Sequence, residues 1–473
     1  MTMPPAQAAG NAQGAAVPTR FPLVIQAANR ADTPDKDARL VNCYGEKTPE
    51  GDFLIYKRAG LSTNATLSKT GNGYGLYNWR GNVYAAIGSS LYKDGTSIGT
   101  IDTTAGVYYF SQSLGATPRL VLGNGVKAYT YDGTTFAQIT DVDFPTAFVK
   151  GWSYLDATTY VGLANAGIQG SDLNDPTSWD PLNLIVAQIE PDRGVAMGKQ
   201  LVYTILFKEW TTEVFYDAAN SVGSPLGTVQ GAKVSFGCLS ANSVQSIGDV
   251  LLWVSTTREA SPQIIKMAGL KAEVVSTPAI ERLLRGEDFS SGVFSWSFKD
   301  GGHSFYILTV KNANLTLAYD ISENLWWQLT DSSGNYFPIV ASTFDSSNRW
   351  LVQHESNGKV YYMDRSYTSD DGSAITVDGY TPNFDGGVDR VKTLQILRIL
   401  ADQEEGSLLQ LRCNDQDFSP TKWTEFRAVD LGTPRPFLKD CGTFRRRAYN
   451  FRHQSNTPLR LRAMDMQLDL GTA

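Results

Sequence analysis

From about residue 70 the chain repeats a short hydrophobic pattern. An apolar strand is followed by a turn, then by a second strand, usually rich in aromatics, that in most units closes on Asp. The paired segments are 83–87 with 91–94, 120–122 with 129–132, 160–163 with Trp179-Asp180, and 201–206 with 214–217. They continue as 250–254 with 264–267, 305–308 with 317–320, and 350–352 with 360–364. The fifth unit has Ala268-Gly269 where the others have Asp. Anchors at 83, 120, 160, 201, 250, 305 and 351 recur about every 45 residues, within the roughly 40–50 of propeller blades. One four-stranded blade cannot cover both its faces, whereas a radial array buries each blade against the next. The Asp after the second strand suits a turn, because its carboxylate can accept from the backbone two residues on. The pattern predicts an all-β protein with a β-propeller of six or seven blades. The third unit is irregular, and the seventh is also compatible with the C-terminal module.

Helical periodicity is almost absent. One short helix is predicted at 278–284, introduced by Ser276 and Thr277. Residues 1–20 (Ala, Gly, Pro and Gln) read as a flexible arm. Residues 21–60 carry short apolar pieces at 21–25, 40–44 and 53–56, read as extended chain crossing a surface. From about 369 the texture changes to longer alternating strands at 393–400, 408–413, 444–451 and 459–470. The predicted division is an extended N-terminal arm or docking segment over 1–65, a β-propeller over 66–368 and a C-terminal β-sandwich over 369–473.

Composition narrows the function. The 473 residues carry a net charge of −7, which argues against a globally basic nucleic-acid binder. Four Cys without a CxxC pair form neither a disulfide framework nor a zinc knuckle, and are expected to be reduced. Three His leave little for a His-based metal site, so no metal or cofactor is expected. The first 20 residues lack the charged-then-apolar order of a secretory signal, and the longest apolar runs are strand-length. No direct membrane insertion is expected.

Candidate chemistry is sparse. The 319–327 segment, Tyr-Asp followed by Trp-Trp, resembles a kelch-type blade, with Tyr319 and Trp327 expected in the core. The 414–423 turn faintly resembles the Asp-box of sialidase-like propellers, but it occurs once and lacks the Gly. Asp370-Asp371 and Glu404-Glu405 are paired carboxylates of the kind glycoside hydrolysis uses, yet both sit in polar sequence and read as solvated loop charge. No catalytic residue is assigned. Residues 391–473 hold 13 Lys and Arg against 10 Asp and Glu, with a basic concentration at Arg445, Arg446 and Arg447 together with Arg452, Arg460 and Arg462. Arg445, Arg446, Arg447 and Arg452 are the candidate interface residues, facing acidic protein surface or DNA phosphates.

The chain carries a series of landmarks: 37–46 with its Asn42-Cys43-Tyr44, the turn 56–61 ending Ala59-Gly60-Leu61, Glu213 to Tyr216, Gly237-Cys238, 277–284, and 317–320 followed by Trp326-Trp327. Their order resembles a family: the tail hub or nozzle proteins of short-tailed bacteriophages, also called packaged DNA stabilisation proteins. The family usually has Pro-Gly-Leu where this chain has Ala59-Gly60-Leu61. The resemblance implies a virion tail protein, a homo-hexameric ring assembled in the host cytoplasm. The ring would sit below an adaptor, with needle, spike or fibre proteins beneath or around it. It would carry packaged double-stranded DNA through its channel, retain it and open for ejection. The alternative is a glycan-acting or glycan-binding propeller, a sialidase-like hydrolase or a lectin.

Overall fold

A computed structural model describes residues 19–21, 23, 38–49 and 53–471, apart from 221, 230, 233 and 258–260. The fold is all-β, with one short α-helix among the described residues. Seven four-stranded antiparallel meanders make the propeller. Blades 1 to 6 span 73–100, 109–138, 153–186, 194–228, 245–274 and 293–328. Blade 7 takes Ile339–Phe344, Trp350–His354 and Val360–Asp364, and completes itself with Gly60–Thr63 from far upstream. The first strands of successive blades pack side by side, and that of blade 7 packs on that of blade 1, closing the circle. Gln353 secures the closure from blade 7. Its side chain accepts from Gly75 N at 2.8 Å and donates to Ala86 O at 3.0 Å, both in blade 1.

Each sequence anchor falls in or beside the second strand of a blade. These strands have a blade on either face, so they read as continuous apolar runs; 83–87 and 251–255 are buried throughout. The Asp residues act as turn caps. Asp132 accepts from Thr134 N at 2.8 Å, Asp217 from Ala219 N at 2.7 Å, and Asp320 from Ser322 N at 2.9 Å. Blade 3 departs from the expected pairing. Its third strand is Gly167–Asp172, and Trp179-Asp180 belongs to the long, bulged outer strand Asp175–Val186. The bulge shifts the register and hides the repeat. The helix is Pro278–Leu284, capped by Thr277, whose side chain accepts from Ile280 N. It buries Ile280 and Leu284 between blades 5 and 6.

The C-terminal half contains two sheets. One runs Cys43–Lys47, Phe53–Lys57, Arg460–Leu470, Lys392–Ala401, Phe437–Lys439. The other grows out of blade 6: beyond Leu325–Gln328 come Arg39–Val41, Val377–Tyr380, Ala448–His453, Leu408–Asn414 and Arg427–Asp430. Leu397, Leu461 and Met464 from the first sheet share a core with Leu409, Leu411 and Phe451 from the second. Residues 38–63 therefore correct the reading of an arm lying on a surface. They supply three strands to these sheets and one to blade 7, and Leu40, Cys43 and Ile55 are buried. Each piece is too short to show a period, and its partners lie hundreds of residues away. Residues 1–18 lie outside the described residues, but Thr19–Phe21 is a strand paired to Arg460–Leu470, not part of a free arm.

Candidate functional site

The basic cluster of the C-terminal module separates into two kinds of residue. Arg447 is buried and grips Asp415 bidentately, Nε and Nη2 donating at 2.7 and 2.8 Å, with Nη1 on Cys441 O at 2.6 Å. Burial works against its charge, but the Asp415 hydrogen bonds together with the electrostatic influence of Tyr449, Cys413 and Asp415 raise its pKa. Arg452 binds Asp378 on the neighbouring strand at 2.9 and 3.1 Å. Arg447 is thus an internal tie, which corrects its assignment as an interface residue, while Arg452 is paired within the chain and partly exposed. Arg445 and Arg446 are exposed, each about half, with loose ion pairs to Asp389 at 3.5 Å and Asp417 at 3.4 Å. Three consecutive Arg around a strand entry cannot share one face, so they divide between core and surface.

The densest polar construction is the joint between propeller and C-terminal sheets. Asn42 is fully buried at φ 55°. Its amide donates to Thr330 Oγ1 at 2.7 Å and Thr376 O at 2.8 Å, and its carbonyl accepts from Arg58 Nε at 2.9 Å and Thr330 N at 3.0 Å. Arg58 continues to Asp370, at 2.9 and 2.6 Å, and to Ala59 O at 3.0 Å. The expectation of solvated loop charge is thus corrected for Asp370. Lys57 donates to the carbonyls of Thr368, Ser455 and Thr457 at 2.8, 2.9 and 3.1 Å, and burial pulls its amino group down to about 8. At Gly60 a Cβ would stand 2.4 Å from Tyr367 O, so only glycine lets the chain pass into blade 7.

Tyr44 fills the same joint. Its ring lies 5.1 Å from Phe305, 5.6 Å from Trp327 and 5.3 Å from His303, and its hydroxyl accepts from Arg365. His303 Nδ1 stands 2.6 Å from Asp320 Oδ2, and Nε2 stands 3.7 Å from Glu46. The bond to Asp320 raises its pKa against the opposing effect of burial. Trp326 and Trp327 point to opposite faces of blade 6: Trp326 into the blade 5–6 core, Trp327 into the joint. Tyr319 and Trp327 are 1% and 3% exposed.

The propeller axis is obstructed. The 3₁₀ turn Ala241–Ser243 lies across it: Tyr109 of blade 2 donates to Ala241 O at 2.9 Å, and Lys150 donates to Asn242 Oδ1 at 3.1 Å. Ser295 of blade 6 donates to Asn242 O at 2.8 Å. Beside the turn is a cavity of about 340 Å³ lined by first strands of blades 1, 2, 6 and 7 and the 242–246 segment. That is small-molecule size, and a DNA duplex, whose major groove alone is about 12 Å wide, does not fit.

In blade 4, Lys208 is buried with Asp192 at 2.7 Å and Glu213 at 2.6 Å. Gly237 lies where a Cβ would meet Glu209 O at 2.0 Å. The 414–423 segment forms a turn between strands, Asn414 accepting from Gln416 N at 2.8 Å. Among the described residues no three His, Cys, Asp or Glu gather at metal-binding range. Sequence reasoning missed the Asn42–Arg58–Asp370 chain. Its one signal was a Lys57-Arg58 pair set inside an otherwise apolar stretch.

Comparison with known proteins adds a family. Residues 50–368 match the family model described as Bacteriophage P22 Gp10, beta-propeller. No curated protein matches. Among solved structures, the computationally designed Ika8 protein aligns at 12% identity and a TM-score of 0.38, covering 64% of this chain and 99% of that one. U3-55K aligns at 10% and 0.39, covering 65% and 98%, and the N-terminal domain of Nup159 at 11% and 0.39, covering 69% and 99%.

Proposed function

From a chain that belongs to the Bacteriophage P22 Gp10 beta-propeller family, and is therefore a phage structural protein, we infer a tail hub or nozzle subunit. In this reading six copies form a ring in the virion tail, below the adaptor and above the needle, spike or fibre proteins. The ring continues the DNA channel, retains the packaged genome and opens for ejection. The observation that carries the reading is the family match across 50–368. The obstructed axis gives it a geometry: DNA passes between copies, not through a propeller. The buried, hydrogen-bonded joint supports it too, since a subunit that holds DNA under load must transmit force between its two halves.

The test is made on particles. Virions assembled without this chain should fill with DNA and then lose it, and images of complete tails should show a hollow sixfold ring containing it. Particles that lack the chain yet retain and eject DNA normally would refute the reading.

A further inference from the structure

The outer rim of blade 3 carries an unusual surface. The three most exposed large aliphatic side chains among the described residues are Val142 at 93%, Val222 at 88% and Leu182 at 76%. Val142 lies on the link from blade 2 to blade 3, Leu182 on the bulged outer strand of blade 3 and Val222 on the adjoining outer hairpin of blade 4, and the fold brings them together. Gln169 Nε2 donates to Asp143 O at 2.9 Å and to Asp180 O at 3.3 Å, joining the first loop to the bulge that bears Leu182. Gly223 lies against that bulge, a Cβ there being 3.8 Å from Leu182 O. The surroundings are acidic. Residues 140–229 hold 11 Asp and Glu against 4 Lys and Arg, or 9 against 3 without the mutually buried Asp192, Glu213 and Lys208. Lys208 is buried, while Lys150 and Lys199 donate to backbone carbonyls.

A second surface has the opposite charge. Arg398 and Phe437 are direct cross-strand partners. Leu400 and Lys439 lie two residues further along their strands, so the pleat puts all four on one face. All four are exposed, Phe437 at 48% and Leu400 at 37%. Arg398 also stands across from Asp465, whose carboxylate pairs with Arg20 at 3.3 Å, and neither Arg398 nor Lys439 has an ion pair within 4 Å among the described residues. The strand Phe437–Lys439 ends its sheet, with Arg427 donating to the Lys439 carbonyl at 2.6 Å.

We propose that the acidic apolar rim of blade 3 on one copy docks on the basic apolar face around Arg398 and Phe437 of a second copy. The two faces match in kind, aliphatic with aromatic and carboxylate with cation, and they lie on different parts of the chain. Such a heterologous contact propagates around a ring. The inference rests on the ring reading and names the surfaces that make it. It also moves the basic partner from Arg445 and Arg446, which face their own Asp389 and Asp417, to cations that have none.

The test measures self-association of the purified full chain by sedimentation velocity at low and high salt. Wild type should associate, less so at high salt. Lys439→Asp and Asp143→Lys should each weaken association about tenfold or more, and the double variant should recover most of it. Leu182→Asp should abolish it while leaving the far-ultraviolet spectrum unchanged. A wild type that stays monomeric, single variants that associate normally, or a double variant no better than the singles overturns the docking. Tail images with a sixfold ring containing variants that associate normally would reject the surfaces and keep the proposed function. Tails without such a ring would reject the function itself.

Discussion

Replacing Arg58 with Ala should be among the most damaging single changes outside the aromatic core. The side chain is 3% exposed and its guanidinium reaches Asn42, Ala59 O, Thr330 O and both oxygens of Asp370. Truncation leaves the Asp370 carboxylate, whose side chain is 13% exposed, without its cation, and leaves Asn42 Oδ1 one donor short. Breaking one side of a buried pair costs about 3–5 kcal/mol. Arg58→Lys should recover less than half, because an ammonium is a point charge that cannot span two carboxylate oxygens and an amide. Replacing both partners, Arg58→Met with Asp370→Leu, should lose much less than the two single changes summed, since no charge remains buried. The assay is urea unfolding followed by tryptophan fluorescence. An Arg58→Ala variant within about 1 kcal/mol of wild type would refute the claim that this pair holds the joint.

Three further outcomes are expected. Gly60→Ala should cost about 1–3 kcal/mol in the same unfolding assay, because the added methyl meets backbone oxygens of Tyr367 and Ser369 at 2.4 and 2.5 Å; an unchanged midpoint would count against the close approach. Tyr319→Ala and Trp327→Ala should each cost about 3–5 kcal/mol, and an unaltered melting temperature for either would mean its side chain is not in the core. Stability should fall as pH drops from about 6.5 toward 4 in part through His453, which is fully buried beside Ser407 and whose pKa burial pushes down to about 4. Its neutral form is stabilising above the unfolded pKa of roughly 6.5, and that contribution is lost as the unfolded state takes up a proton the fold refuses. His453→Gln should flatten this part of the stability–pH curve, and an identical curve would refute the assignment.

Much of the propeller is local and was legible in the chain. A second strand with a blade on either face needs an unbroken apolar run, so the repeat appears as runs such as 83–87 and 250–254. The Asp caps and the Thr277 cap act over two or three residues, which a sequence displays directly. Several landmarks of the family resemblance are packing devices: Asn42 and Tyr44 fill the joint, Glu213 pairs with Lys208, and Gly237 admits the Glu209 carbonyl. What the tertiary structure decided is long-range. Seven blades close only because Gly60–Thr63 pairs with Val360–Asp364, some three hundred residues later, and no local pattern announces a borrowed strand. The same distance hides the strands at 39–57, whose sheet partners lie at Leu325–Gln328, Val377–Tyr380 and Arg460–Leu470, and hides Asp370 opposite Arg58. Arg445, Arg446 and Arg447 are identical in sequence, yet one is buried on Asp415 and two face water. A side chain's composition states its charge, but only the packing around it determines whether that charge is used inside the molecule or is left for a partner.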